Sequence, residues 1–286
     1  MRKLAIVSLA ALLVIALFLA GCGGQKSSSS PSGQNGSSSG SNAAKILEES
    51  NQKMAGVKSV RATGAYKGNM LGSSAPGGSE AFDFAFDMSI DISDKKAPRG
   101  TMTMKGMGQD TMVYLENGFA YVNVPAQGWG KTPVAESGLT SASPAEIQKF
   151  SKGAENLRVV SESGDTYKIA FDVGPKFMQE QLKHARGTTE EMTPEVQSMI
   201  NDMVKNMKMS AVFTIDKSDL FLTDATIKMS MNVPTLGNMN IDMALAFSDY
   251  NKPITVSLPP EAASAPLVEN PEGATPGIPS FPGLGL

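Results

Sequence analysis

Cysteine, histidine and tryptophan each occur once in 286 residues, and aromatic residues make up only 6% of the chain. A lone cysteine excludes an internal disulfide and any site built from two thiolates. The lone histidine, His184, is flanked by Lys183, Ala185 and Arg186, on the polar side of a predicted helix end. A His/Cys metal site is therefore excluded, and a Ser-His-Asp triad would depend wholly on this one imidazole. A surplus of positive charge is also missing. The formal net charge of −3 argues against nucleic acid and against an electrostatic hold on anionic lipid. No convergent set of acid, base and nucleophile is legible, so the expectation is a protein that is not an enzyme and carries neither metal nor cofactor.

The chain does have Leu19-Ala20-Gly21-Cys22, behind Arg2, Lys3 and an apolar run from Leu4 to Ala20 broken only by Ser8. A positive start, an apolar stretch and small residues before a cysteine form a secretory signal with a cleavage point. This predicts a lipoprotein signal over 1–21, with Cys22 carrying a diacylglyceryl thioether after cleavage. The alternative is an uncleaved membrane span, which needs roughly 20 apolar residues. A serine and glycine tract comes after Cys22, in place of a stop-transfer flank. Two acyl chains hold a protein stably at a bilayer where one does not. The predicted location is thus the extracytoplasmic face of the cell membrane, with the membrane as a partner through Cys22.

Residues 22–42 are almost entirely Ser, Gly, Gln and Asn, too polar to offset the entropy of ordering. They predict a flexible tether with a root-mean-square span of roughly 25 Å. A single domain is predicted over 43–258, and 259–286, rich in Pro, Gly and Ala, is expected to be disordered. Removing Arg2 and Lys3 with the signal leaves the mature chain at −5.

Period-two alternation dominates the domain. Phe82, Phe84, Phe86, Met88, Ile90 and Ile92 alternate with Asp83, Asp87, Ser89 and Asp91, a half-buried strand. The same pattern returns at Ala225, Ile227, Met229, Met231 and Val233, and at Met239, Ile241, Met243, Leu245 and Phe247. Strands this long favour a broad twisted antiparallel sheet. Asn117-Gly118 is the strongest hairpin signal. Asp216–Asp219, Leu236–Asn238 and Ser163–Asp165 are further turns, so the sheet is expected to be a meander. Helices are predicted around Ile46, Leu47, Met54 and Val57, after Ser143-Pro144, over Phe177 to Ala185, and from Thr193-Pro194 through Met207. Each has one apolar face to lay on the sheet.

The signal and tether, the helix running into a strand, the Met-rich strands, the stretch Met112–Val124 with Gly128-Trp129-Gly130-Lys131, and the ending Phe247–Pro259 resemble bacterial lipoproteins of LolA-like or LppX/LprG-like fold. The resemblance covers roughly 43–259 and rests on turn and strand residues. It implies an α+β fold, a long curved antiparallel half-barrel covered on one side by several α-helices, with apolar space for acyl chains between them. It further implies lipid or lipoprotein handling in the cell envelope.

On that reading the apolar groove is lined by Phe82, Phe84, Phe86, Met88, Met229, Met231, Met243 and Leu245. Seventeen methionines remain after signal removal. Their unbranched, polarizable side chains suit a face that adapts to varied ligands. The same residues would equally serve as an ordinary packed core, with function in loops or tail as a surface interaction module. Asp83 and Asp91 are too far apart on one strand to share a cation, so Asp83, Asp87 and Asp91 are expected to be solvated charge. Gly106-Met107-Gly108 is expected to be a bend, not a phosphate loop. Glu190 and Glu191 are expected to be solvated, and Trp129 to close the end of the sheet. A monomer is expected.

Overall fold

The computed structural model describes residues 38–71, 79–94, 96–106, 109–124, 128–134, 148–178, 204–233 and 237–268. Within them the period-two segments become eleven strands of one antiparallel sheet. In chain order they are β1 (Ser59–Leu71), β2 (Ser79–Asp91), β3 (Arg99–Gly106), β4 (Gln109–Glu116), β5 (Phe119–Val124), β6 (Gly128–Pro133), β7 (Ala154–Ser163), β8 (Thr166–Val173), β9 (Met207–Asp216), β10 (Leu222–Val233) and β11 (Gly237–Ser248). Their spatial order is β6-β5-β4-β3-β2-β1-β11-β10-β9-β8-β7. Two meanders, β1 to β6 and β7 to β11, are therefore joined by the pairing of β1 with β11. Where a turn is described, its chemistry fixes the neighbours it joins. Asn117 and Gly118, at φ 54° and 79°, supply the two positive φ values of a tight hairpin.

Directly opposed residues in antiparallel strands share a face, so the register traces one continuous inner surface. One row of it runs Val122, Val113, Met102, Met88, Ala62 and Phe247, another Leu245, Ala225, Phe213 and Ile169. Ile169, Phe213, Ile215 and Leu222 are fully buried. Each such side chain contributes about 1.5–3 kcal/mol by leaving water. Phe171 meets Phe213 edge-on at 4.9 Å, the arrangement ring quadrupoles favour.

Helix α1 (Ser38–Met54) packs against β7. Ala43, Ile46, Leu47 and Met54 recur at helical spacing and are buried, forming one stripe. Ser50, in the middle of that stripe, is fully buried. It accepts a 2.8 Å hydrogen bond from Nε2 of the buried Gln148. The helix begins inside the segment expected to be tether, because Ala43, Ile46 and Leu47 are buried and carry the turn before them into order.

Several expectations are corrected. Among the described residues helical cover of the inner face consists of α1, a 3-10 turn at Lys149–Gly153 and short helical pieces at 175–178 and 204–205. The rest of the helices expected after Ser143, over Phe177 to Ala185 and from Thr193 lies outside the described residues, as do His184, Glu190 and Glu191. The closing strand ends at Ser248, not near Pro259. Positive φ at Asp249 and Asn251 turns the chain there. Asn251 Oδ1 accepts from the Lys58 amide at 2.8 Å, and the Ser59 hydroxyl donates to the Lys252 carbonyl at 2.6 Å. Order also extends past Leu258. Helix α2 (Pro260–Ala263) and Ala265 press onto Tyr114, Phe119, Tyr121, Trp129 and Leu258 on the outer face of β4 to β6. The Lys131 amide donates to Pro266 O at 3.0 Å and the Val268 amide to Lys131 O at 2.8 Å. A second, smaller apolar core thus lies on the side of the sheet where only solvent was expected. Asp83 and Asp87 are not merely solvated either, since Lys67 approaches Asp83 at 3.2 Å and Arg61 grips Asp87 at 2.7 Å. These half-exposed pairs are each worth about 1 kcal/mol or less. Asp91 accepts from the Ser93 amide at 2.9 Å.

Candidate functional site

Strand register brings the predicted groove residues to one face and separates them by burial. Met88, Met229, Met231, Met243 and Leu245 are buried, with exposures of 2–5%. Phe84 and Phe86 are only half-buried. Position 82 shares their place in the alternation, opposite Gly68, but its side chain lies outside the description. The inner face is therefore closed over β8 to β11 and open to water over part of β1 to β3, where Tyr66, Met102 and Met104 are also half-buried.

This open part is aromatic. Tyr66 stacks on Phe84 at 4.8 Å with an 18° interplanar angle and leans toward Phe86 at 5.8 Å. Burial pushes the Tyr66 phenol up to about 12, because an ionised oxygen would lose its hydration there. Gly64 lies opposite both Phe86 and Leu245. A Cβ on it would stand 2.3 Å from Phe86 Cε1 and 2.7 Å from Leu245 Cδ2. The missing side chain is what lets the ring and the leucine close over the strand. The result is a flat apolar patch of rings and thioethers, edged by one phenol, continuous with the packed core. It can shield alkyl or ring surface, and it offers no nucleophile or base.

Sequence reasoning missed Gly64, Tyr66, Met102 and Met104. β1 is interrupted by Gly64, Ala65 and Gly68, which erase the alternation, and Met102 and Met104 alternate with threonines of weak polarity. Alternating aromatics at Tyr114, Phe119 and Tyr121 could have signalled the outer core, because strands facing solvent have no use for them. Trp129 sits on the outer face of the edge strand β6, 5.7 Å from Tyr114, closing that end of the sheet as expected. Gly106 ends β3 and pairs with Gln109 at the start of β4, while residues 107 and 108 of the expected bend lie outside the described residues. Cys22 and the signal lie outside the described residues. Among the described residues, no group of three or more His, Cys, Asp or Glu side chains could hold a metal ion. No helix among them is long and apolar enough to cross a membrane.

No curated protein matches the chain. Among solved structures it is similar to LprF from Mycobacterium bovis, at 14% identity over 78% of this chain and 99% of that one, with a TM-score of 0.45. It is also similar to a LolA superfamily protein from Nitrosomonas europaea, at 10% identity over 77% and 96% of the two chains, with a TM-score of 0.25. A third is a DUF1329 family protein from Desulfovibrio piger, at 11% identity over 77% and 96%, with a TM-score of 0.27. The description of the fold stands on the strand pairing itself. A family model matches residues 42–266, a span that takes in most of α1, all eleven strands and α2, and the chain belongs to that family, described as Family of unknown function (DUF6612).

Proposed function

We propose that this is a membrane-anchored envelope lipoprotein that binds or carries a lipid, or a lipidated partner, on the inner face of its sheet. Cys22 is the attachment point, the extracytoplasmic side the location, and the protein acts as a monomer without catalysis. One observation supports the carrier role above the others. The inner face passes without a break from a packed core into a half-open patch of Tyr66, Phe84, Phe86, Met102 and Met104. Apolar surface left open beside a core marks a place for a ligand, and methionine adapts such a surface to chains of different shape.

The test is native mass spectrometry of the protein taken from its own membrane, beside a delipidated sample. The expected outcome is a copurifying acyl species in addition to the Cys22 modification, absent after delipidation and restored by adding lipid. If no acyl ligand copurifies or rebinds, the carrier role fails. A second reading is a surface interaction module with a solid core. It is favoured by the near-complete burial of Met229, Met231, Met243 and Leu245, and native packing density throughout the inner face would support it.

A further inference from the structure

Methionine is unevenly spread over the inner face. The last row to span β9, β10 and β11 before the β10–β11 hairpin, one step short of Val233 and Gly237, places Met207, Met231 and Met239 directly opposite one another. The next row holds Met209, Met229 and Ile241. In the third row Ala211, Ile227 and Met243 face one another, and beyond it the same strands use Phe213, Ala225 and Leu245. Five of the six positions in the two end rows are thus thioethers. Strand interiors ordinarily favour β-branched and aromatic residues, so the concentration is unusual for a strand face even though methionine can pack a core.

The chemistry of the cluster is specific. Opposed residues on neighbouring strands lie about 4.5–5.5 Å apart at Cα, and methionine has three rotatable bonds, so three sulfurs in one row can converge on a common point. Met231 and Met239 are 2% and 3% exposed, and Met207, at the start of β9, is 8% exposed. The row is dry, with its most accessible member at the rim. Thioethers are soft donors that select copper(I). Calcium and magnesium require oxygen ligands. Uncharged sulfur ligands also leave the ion's own charge unbalanced, which restricts the site to a single positive charge.

We propose that Met207, Met231 and Met239 form a three-sulfur site for a soft monovalent cation, copper(I) or its redox-inert analogue silver(I). Met209 and Met229 supply the neighbouring sulfurs. The site is independent of lipid carriage, and the experiment uses delipidated full-length protein so that the two are read separately. Silver nitrate is titrated into protein labelled with ¹³C at the methionine methyls, and the methyls are assigned by single Met→Leu substitutions. The expected result is a saturable shift of the Met207, Met231 and Met239 methyls, with Met112, exposed on the outer face, unmoved. Met231→Leu and Met239→Leu should abolish binding, and Met112→Leu should retain it. X-ray absorption of the anaerobic copper(I) form should give a first shell of sulfur alone. Leucine nearly conserves the volume, so these variants are expected to keep the fold. Should those variants fail to fold, the methyls are assigned from through-space contacts in the unsubstituted protein, and their shifts decide. Absence of saturable binding, shifts confined to Met112 or other methionines outside the row, or unchanged binding in Met231→Leu would each overturn the site.

Discussion

Single residues set the shape of the inner face more by what they omit than by what they add. Gly64 is the sharpest case. In Gly64→Ala the Phe86 ring and Leu245 must retreat from the new Cβ, so the substitution should cost about 1–3 kcal/mol, as overpacking does, and urea unfolding will read it. Ser50 and Gln148 are the polar counterpart. Ser50→Ala leaves the buried Gln148 amide without its acceptor, which should cost about 1–3 kcal/mol. The double variant Ser50→Ala with Gln148→Leu should recover most of that loss, because neither polar group then remains, and a double-mutant cycle measures the difference. Neither residue was legible in the sequence as a determinant. A serine inside an apolar stripe resembles an interruption until its partner, 98 residues on, is known.

At the scale of elements, the legible parts were those with a strict period or a defined turn. β2, β10 and β11 follow their alternation nearly to the residue, and Asn117-Gly118 turns where its backbone preference dictates. The opening helix was legible from Ile46, Leu47 and Met54, but its first turn was not, since serine and glycine carry no periodicity. Least legible was the segment after Leu258, whose order comes from contact with Tyr121 and Trp129 and not from its own composition. Ala262 is fully buried there. Ala262→Asp should therefore detach α2, lowering stability by about 2 kcal/mol or more through an unpaired buried charge. Trp129 emission should move to longer wavelength as its cover is lost, while far-ultraviolet circular dichroism stays near the parent value. An unmoved Trp129 spectrum would refute the assignment of that contact.

For the whole molecule, charge makes stability depend on acid. Hydrogen bonds from Ser93 hold Asp91 below the usual carboxylate range, those from Ser218 do the same for Asp216, and Lys252 does so for Asp249. A lowered folded value means the unfolded chain binds protons first. The stabilisation is therefore fully present above the ordinary aspartate value of about 3.9 and disappears as pH falls through the lower folded values. Urea midpoints should be flat near neutrality and fall in acid. Asp216→Asn should flatten part of that fall. Tyr66 acts at the other extreme. Its raised phenol adds stability that is present below about pH 10 and is lost as pH rises toward 12; Tyr66→Phe should reduce the alkaline slope, the remainder coming from Tyr250, whose phenol burial also raises.

The two lateral borders of the sheet, β6 and β7, are also where the described chain begins and finishes. Leu267 pairs in parallel with Lys131 at one border, and α1 lies against the strand at the other, where the register of β7 with β8 shifts twice. A foreign ribbon thus meets an occupied seam on one flank and a kinked, helix-guarded one on the other. Both borders therefore carry features that disfavour edge-to-edge pairing between copies.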